Sequence, residues 1–152
     1  MQAQFKPQFE GYKERVIDSF NRQALMKTIN ASILSIRPGE VELECPFHKN
    51  LTQQNGFIHA GIVSTLLDNA GGYAAFSLMP ENAAVLTIEF KVNLLSPAKG
   101  EKFLAIGKVI KPGKNITAAG AKLYAHSNDN QKLVATMVGT MMAVYDLENS
   151  QN

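Results

Sequence analysis

The stretch from Gln53 to Phe76, QQNGFIHAGIVSTLLDNAGGYAAF, constrains this chain more than any other. It opens as a polar, glycine-containing loop, passes through His59-Ala60-Gly61, and enters an unbroken apolar run with one acid, Asp68, in its middle. At about 100° per residue the run sorts as a helix with two faces. Ile62, Val63, Leu66, Leu67, Ala70, Tyr73 and Ala74 make a broad apolar side, and Ser64, Thr65, Asp68, Gly71, Gly72 and Ala75 gather opposite. A helix that is apolar on one side and small on the other is buried on both. The rest of the chain must therefore wrap it. Small residues admit a close backbone or a ligand, and a buried carboxylate needs a partner. Asp68 reads either as a hydrogen-bonded core acid or as a functional one.

The flanking segments supply the wrap. From Pro7 to Asn21 the spacing of Phe9, Tyr12, Val16, Ile17 and Phe20, opposite Lys13, Glu14 and Arg15, predicts an amphipathic helix, which Gln23–Ile29 extends by a turn or two. Residues 1–30 form a covering helix with no chemistry of its own. Ala31–Ile36 and Glu40–Pro46 read as strands around the Pro38-Gly39 turn, and Met79-Pro80-Glu81-Asn82 stops the long helix. The period then changes to two. Ala84–Leu95, Lys102–Lys111, Ile116–His126 and Leu133–Tyr145 are four further strands, separated by turns at Ser96–Gly100, Lys111–Lys114 and Ser127–Lys132. Strands segregated around one helix imply α+β architecture with an antiparallel sheet. At 152 residues the chain has single-domain length, with a polar tail at 147–152 expected to fray.

Composition removes several function classes. A net charge of +2 with no basic block gives no footprint for nucleic acid. The N-terminus lacks a signal-peptide pattern and no apolar stretch reaches the ~18 residues needed to cross a bilayer, so a cytoplasmic protein without membrane attachment is expected. Cys45 is the only cysteine, placed in an alternating run as a half-buried strand residue. His48 and His126 have no partner pattern, and no metal or cofactor motif is present. The charged fraction of 18% is low enough to suggest that part of the surface is buried in an oligomer.

The central stretch can support acyl chemistry. The first N–H groups of the helix, near Ala60-Gly61, have no intrahelical acceptor and sit at the positive end of the dipole. Such a terminus can hold the oxyanion formed when an ester or thioester carbonyl is attacked. Asp68 could activate water or attack directly. Within one chain roughly 10 Å of helix separates the two at 1.5 Å per residue. The spacing suggests that Asp68 of one subunit meets the helix end of another.

QQNGFIHAGIVSTLLDNAGG resembles the motif of hotdog-fold acyl-CoA thioesterases of the phenylacetyl-CoA thioesterase (PaaI-like) type. Gly56, His59, Gly61 and Asp68 match by position, as does the strand ending in LLSPAKG, and the resemblance runs from Leu43 to Tyr145. It implies a hotdog fold, an antiparallel sheet of five or six strands around the central helix, acting without metal or organic cofactor. Asp68 would be general base or nucleophile and the Ala60 N–H the oxyanion hole. Gln53 stands where the family has Asn, Thr87 where relatives carry a hydroxyl that orients water, and His59 would orient the loop. Lys111 and Lys114 flank the hairpin from which relatives contact coenzyme A phosphates. Ala60 replaces the first glycine of the family's His-Gly-Gly, and Gln53 is one methylene longer than Asn.

Two functions follow as expectations: a thioesterase that hydrolyses acyl-CoA, or a hotdog protein that binds an acyl thioester without turnover. A purely structural dimerisation module is a third, and a hydratase lacks its Asp–His pair here. The resemblance also implies a homodimer or homotetramer joined through the Ala84–Leu95 edge. Phe57, Tyr73, Phe76 and Phe90 are candidates for an acyl pocket or for core, and Asn69 for packing or an interface.

Overall fold

The alternating runs form one six-stranded antiparallel sheet, and the apolar run forms the helix that it wraps. The structure, a computed structural model, describes residues 5–145, so the expected fraying of the tail lies outside the described residues. In chain order the elements are α1 (Tyr12–Arg22), α2 (Ala24–Thr28), β1 (Ser32–Arg37), β2 (Glu40–Pro46), a 3₁₀ turn at Lys49–Leu51, α3 (Ala60–Phe76), β3 (Ala83–Leu94), β4 (Lys102–Lys111), β5 (Ile116–Ser127) and β6 (Asn130–Tyr145). The strands lie in the order β1-β2-β4-β5-β6-β3, each pair antiparallel. This is the expected α+β hotdog arrangement, with β1 and β3 at the two edges.

Strict alternation decides which sheet face meets α3. Val41, Leu43 and Cys45 on β2, Phe103 and Ala105 on β4, and Ala119, Ala121, Leu123 and Ala125 on β5 are all buried. Their neighbours Glu40, Glu42 and Glu44 point the other way, where Glu40 pairs with Lys108 and Glu44 with Lys102. One row across the sheet reads Val41, Gly107, Ala121, Met137. Small residues at its centre leave a trough in which the helix backbone can lie. A Cβ built on Gly107 would stand 2.1 Å from the carbonyl carbon and oxygen of Ala70.

Several boundaries differ from the sequence reading, each for a local reason. The first helix starts at Tyr12 rather than Pro7, after Gly11, and Gln23, in an extended conformation, separates α1 from α2. Only Tyr12, Val16 and Phe20 of the α1 stripe are buried; Ile17 is 44% exposed, because it lies one position off the 4-4 spacing. The β5–β6 turn is tighter than Ser127–Lys132. Asn128 takes a positive φ of 51°, so the ladder closes at Ser127–Asn130. Cys45 is fully buried rather than half-buried, and its thiol lies 3.3 Å from the Ile29 carbonyl.

Arg15 closes the far end of α3. Its guanidinium donates to the carbonyls of Phe76 (2.7 Å), Met79 (2.9 Å), Glu81 (3.2 Å) and Pro80, which ties the covering helix to the last residue of α3 and to the segment that follows it. It is held between the rings of Phe9 and Phe76, 4.5 and 4.0 Å from their centroids. Burial lowers its pKa to about 10, still cationic at neutral pH. Arg15→Met is expected to lose about 3 kcal/mol, because charge-assisted hydrogen bonds are among the stronger ones and four of them are lost together. Arg15→Lys should recover only part of this, since an ammonium cannot present a planar fork between two rings. Urea titration of the three proteins checks it; equal midpoints would show that the covering helix is held by other contacts.

Candidate active site

The residues singled out in the sequence fall into three groups. The first is the loop before α3. Gln53 and Phe57 pair across a turn in which Gly56 takes φ +84°, and the Gln53 side-chain oxygen accepts from the Asn55 N–H. Gln53 thus braces its own loop in this chain and does not reach Asp68. His59 is the N-cap of α3: its Nδ1 accepts from the Gly61 N–H at 2.8 Å. With Nδ1 an acceptor, the neutral ring carries its proton on Nε2. Among the described residues nothing accepts from the Ala60 N–H, and Ala60 is exposed. An oriented, unpaired donor at a helix N-terminus can receive an anionic oxygen.

The second group surrounds Asp68, about 12 Å along the helix from Ala60 at 1.5 Å per residue. The Thr87 hydroxyl donates to Asp68 Oδ1 at 2.7 Å. Thr87 reaches it through an irregularity in β3: Thr87 pairs with Met141 and Glu89 with Thr140, leaving Ile88 unmatched. Such a bulge re-aims side chains at the end of a ladder. Burial pushes the Asp68 carboxyl above its usual range, and the Thr87 hydrogen bond draws it partway back. The result is a half-buried carboxylate with one oxygen held and the other available.

Beside it lies a cavity of about 210 Å³ bounded by α1, α3 and β3. Ser19, Gln23, Asn69 and Tyr73 line it along with Asp68 and Thr87. The covering helix therefore does more than cover the core, because it lines the cavity beside Asp68, and Asn69 is part of the cavity wall. A signal was present: Ser19 and Gln23 continue the Tyr12–Val16 stripe at spacings of three and four, so two polar residues occupy core-facing positions. Of the four aromatic candidates only Tyr73 lines this cavity. Phe76 is buried beneath Arg15, Phe57 is half-buried, and Phe90 is 42% exposed on β3.

The third group, Lys111 and Lys114, is exposed at the β4–β5 hairpin and does not line the cavity. Among the described residues no cluster of His, Cys, Asp and Glu could hold a metal ion, and no helix is long and apolar enough to cross a membrane.

Known proteins resemble the chain in sequence and in fold. The thioesterase superfamily profile matches residues 55–130, the span that holds Gly56, His59, α3 and Thr87. A crystal structure of a thioesterase family protein from Silicibacter pomeroyi is 55% identical and superposes with a TM-score of 0.88, covering 89% of this chain and 99% of that one. The PaaI protein of the E. coli phenylacetic acid degradation operon, at 19% identity, shares the fold with a TM-score of 0.78 over 88% of this chain and 93% of its own. Human acyl-coenzyme A thioesterase 13 is 28% identical over 93 residues, 60% of this chain and 66% of that protein. The chain spans 66%, 87% and 65% of the length of the first three curated relatives that it matches.

Proposed function

The chain belongs to the thioesterase superfamily, and from that premise we propose that it hydrolyses an acyl-CoA thioester to the free acid and coenzyme A. The observation that carries the reading is the hydrogen bond from Thr87 to Asp68, which holds a half-buried, raised-pKa carboxylate at the mouth of a cavity. Perturbed acids of this kind, set in a cleft, are suited to proton transfer. Thr87 fixes Oδ1, so Oδ2 is free to take a proton from a water as that water's oxygen attacks the thioester carbonyl. The C–O bond forms, the carbonyl oxygen becomes an oxyanion, and collapse breaks the C–S bond and releases the thiolate, which takes up the proton.

The oxyanion needs a donor that Asp68's own helix end is too distant to give. We place it on a second copy, whose Ala60 N–H would meet the first copy's Asp68. The edge strand β3 supports this. It pairs with β6 on one side only, and Leu86, Ile88, Phe90 and Leu94 are 46%, 52%, 42% and 58% exposed. An apolar edge of that length is a pairing surface, and it carries Thr87. His59 then keeps the donor in position through its cap on Gly61, and Lys111 and Lys114 are proposed to meet the coenzyme's phosphates.

A second reading, an acyl-thioester binder without turnover, is favoured by one observation: the Gln53 carbonyl oxygen is already engaged within its own loop. The test is thiol release from short, medium, long and aromatic acyl-CoAs, run beside light scattering at assay concentrations. Turnover by a dimer or larger assembly is expected. Binding without release would select the second reading, and turnover by a monomer would remove the composite site.

A further inference from the structure

The cavity beside Asp68 has a polar wall whose amide hydrogens are ordered by one backbone group. The Thr65 carbonyl can only accept, so the Asn69 side-chain group 2.9 Å from it is the amide nitrogen. Asn69 Oδ1 must then accept, and it does so from Gln23 Nε2 at 2.8 Å. The second hydrogen of that nitrogen goes to the Tyr73 hydroxyl at 2.6 Å. Tyr73 OH lies 3.2 Å from Ser19 Oγ, so of the two hydroxyl protons one is shared between them and one is left over. The relay ends in a surplus donor on the cavity wall, in a setting where Tyr73 is only 4% exposed. A donor so placed is matched by an acceptor.

The floor of the same cavity is a missing side chain. Gly72 is buried in the middle of a helix, where glycine is unfavourable by about 1 kcal/mol relative to alanine. A Cβ built on it would meet nothing within 4 Å, whereas one on the adjacent Gly71 would stand 2.7 Å from the Met137 methyl. Gly71 is small because β6 packs on it. Gly72 is small with no protein neighbour to require it, and the space it leaves belongs to the cavity.

We propose that this cavity is the acyl-end subsite of the thioesterase, resting on that reading, and that it takes a compact acyl group ending in a hydrogen-bond acceptor such as a keto oxygen. Its 210 Å³ exceeds the roughly 150 Å³ that suffices for one benzene ring, so a chain of about six carbons fits within it. Ser19 and Tyr73 carry the donor that selects the end group, Gln23 holds the Tyr73 hydroxyl in place, and Gly72 sets the depth.

The experiment compares acetyl-, hexanoyl-, 5-oxohexanoyl- and decanoyl-CoA on the full chain, on Gly72→Val and on Gln23→Leu, with kcat/KM from thiol release. The unsubstituted protein should favour 5-oxohexanoyl over hexanoyl by about tenfold, the scale of one well-placed hydrogen bond. Gln23→Leu frees the Tyr73 hydroxyl that Gln23 holds, so the donor loses its fixed direction and that ratio should fall to about one. Gly72→Val should lower both six-carbon substrates relative to acetyl-CoA by about tenfold. General loss of structure would lower all substrates together and leave the ratios alone. A ratio near one in the unsubstituted protein, or a ratio that survives Gln23→Leu, overturns the subsite. The same pairs are titrated calorimetrically against Asp68→Asn, so the subsite is read without turnover. Binding preference with no hydrolysis would then remove the thioesterase reading and keep the subsite, and hydrolysis without preference would do the reverse.

Discussion

Asp68→Asn is expected to lower kcat by about 10²–10⁴-fold, the usual contribution of a positioned general base, while raising the melting temperature at neutral pH. Both effects come from the same burial. The Asp68 carboxyl is pushed above its usual range because its charge is poorly solvated, and only the Thr87 hydroxyl counters this. A carboxyl whose pKa is higher in the fold than in the unfolded chain stabilises the fold below its unfolded pKa, and that contribution is lost as pH rises through the folded value. At neutral pH the ionised group is therefore a net burden, and asparagine, which keeps the bond to Thr87 without the charge, is not. The gain in melting temperature should shrink as pH is lowered into the carboxyl range. Activity has the opposite dependence: a protonated Asp68 cannot accept from water, so kcat/KM should fall on the acid side. Thr87→Val removes the one influence holding the pKa down, and the acid limb should move to higher pH. A pH–rate profile and a melting curve for each protein test all of this. An Asp68→Asn protein with undiminished turnover would mean that another group moves the proton.

The sequence carried most of this fold because its two periods do not overlap. The small and apolar helix run, the Pro38-Gly39 turn, with φ +76° at Gly39, and four alternating segments leave few ways to be arranged. Asp68 was legible for the same reason: one acid in an apolar helix stands out. What the sequence hid depended on contacts between distant segments. The order of strands, with β3 sent to the far edge beside β6, is not written in any local pattern. Nor is the irregularity at Ile88 that turns Thr87 toward Asp68. Arg15 looked like a solvent-facing charge because its neighbours on the stripe were apolar, yet its partners lie 61 to 66 positions away. Ser19 and Gln23 are hard to see because a covering helix shows itself by its apolar residues, whereas the information here lies in the polar ones on the same face.

Gly107→Ala is expected to be the most damaging single substitution away from the candidate site. The added methyl carbon would stand 2.1 Å from the carbonyl carbon and oxygen of Ala70 and 2.5 Å from the Gly71 nitrogen. These are backbone atoms of α3, so no rotamer change can relieve the contact; the helix and the sheet must separate. Overpacking a core usually costs about 1–3 kcal/mol when side chains can yield. Here neither partner yields, and a loss of about 3 kcal/mol or more is expected, a large part of the 5–15 kcal/mol that holds a typical domain together. The consequence reaches the chemistry. Ala70 is two residues beyond Asp68, and Thr87 stands on β3, so lifting α3 lengthens the 2.7 Å bond between them even in molecules that stay folded. Gly120→Ala is the matched control, since its Cβ would meet Ile110 and Met137 at an ordinary 3.5 Å. Denaturant midpoints should therefore fall sharply for Gly107→Ala and stay near the parent for Gly120→Ala. Equal midpoints would show that α3 does not rest on β4 at Gly107, and with that the positioning of Asp68 by the trough would have to be abandoned.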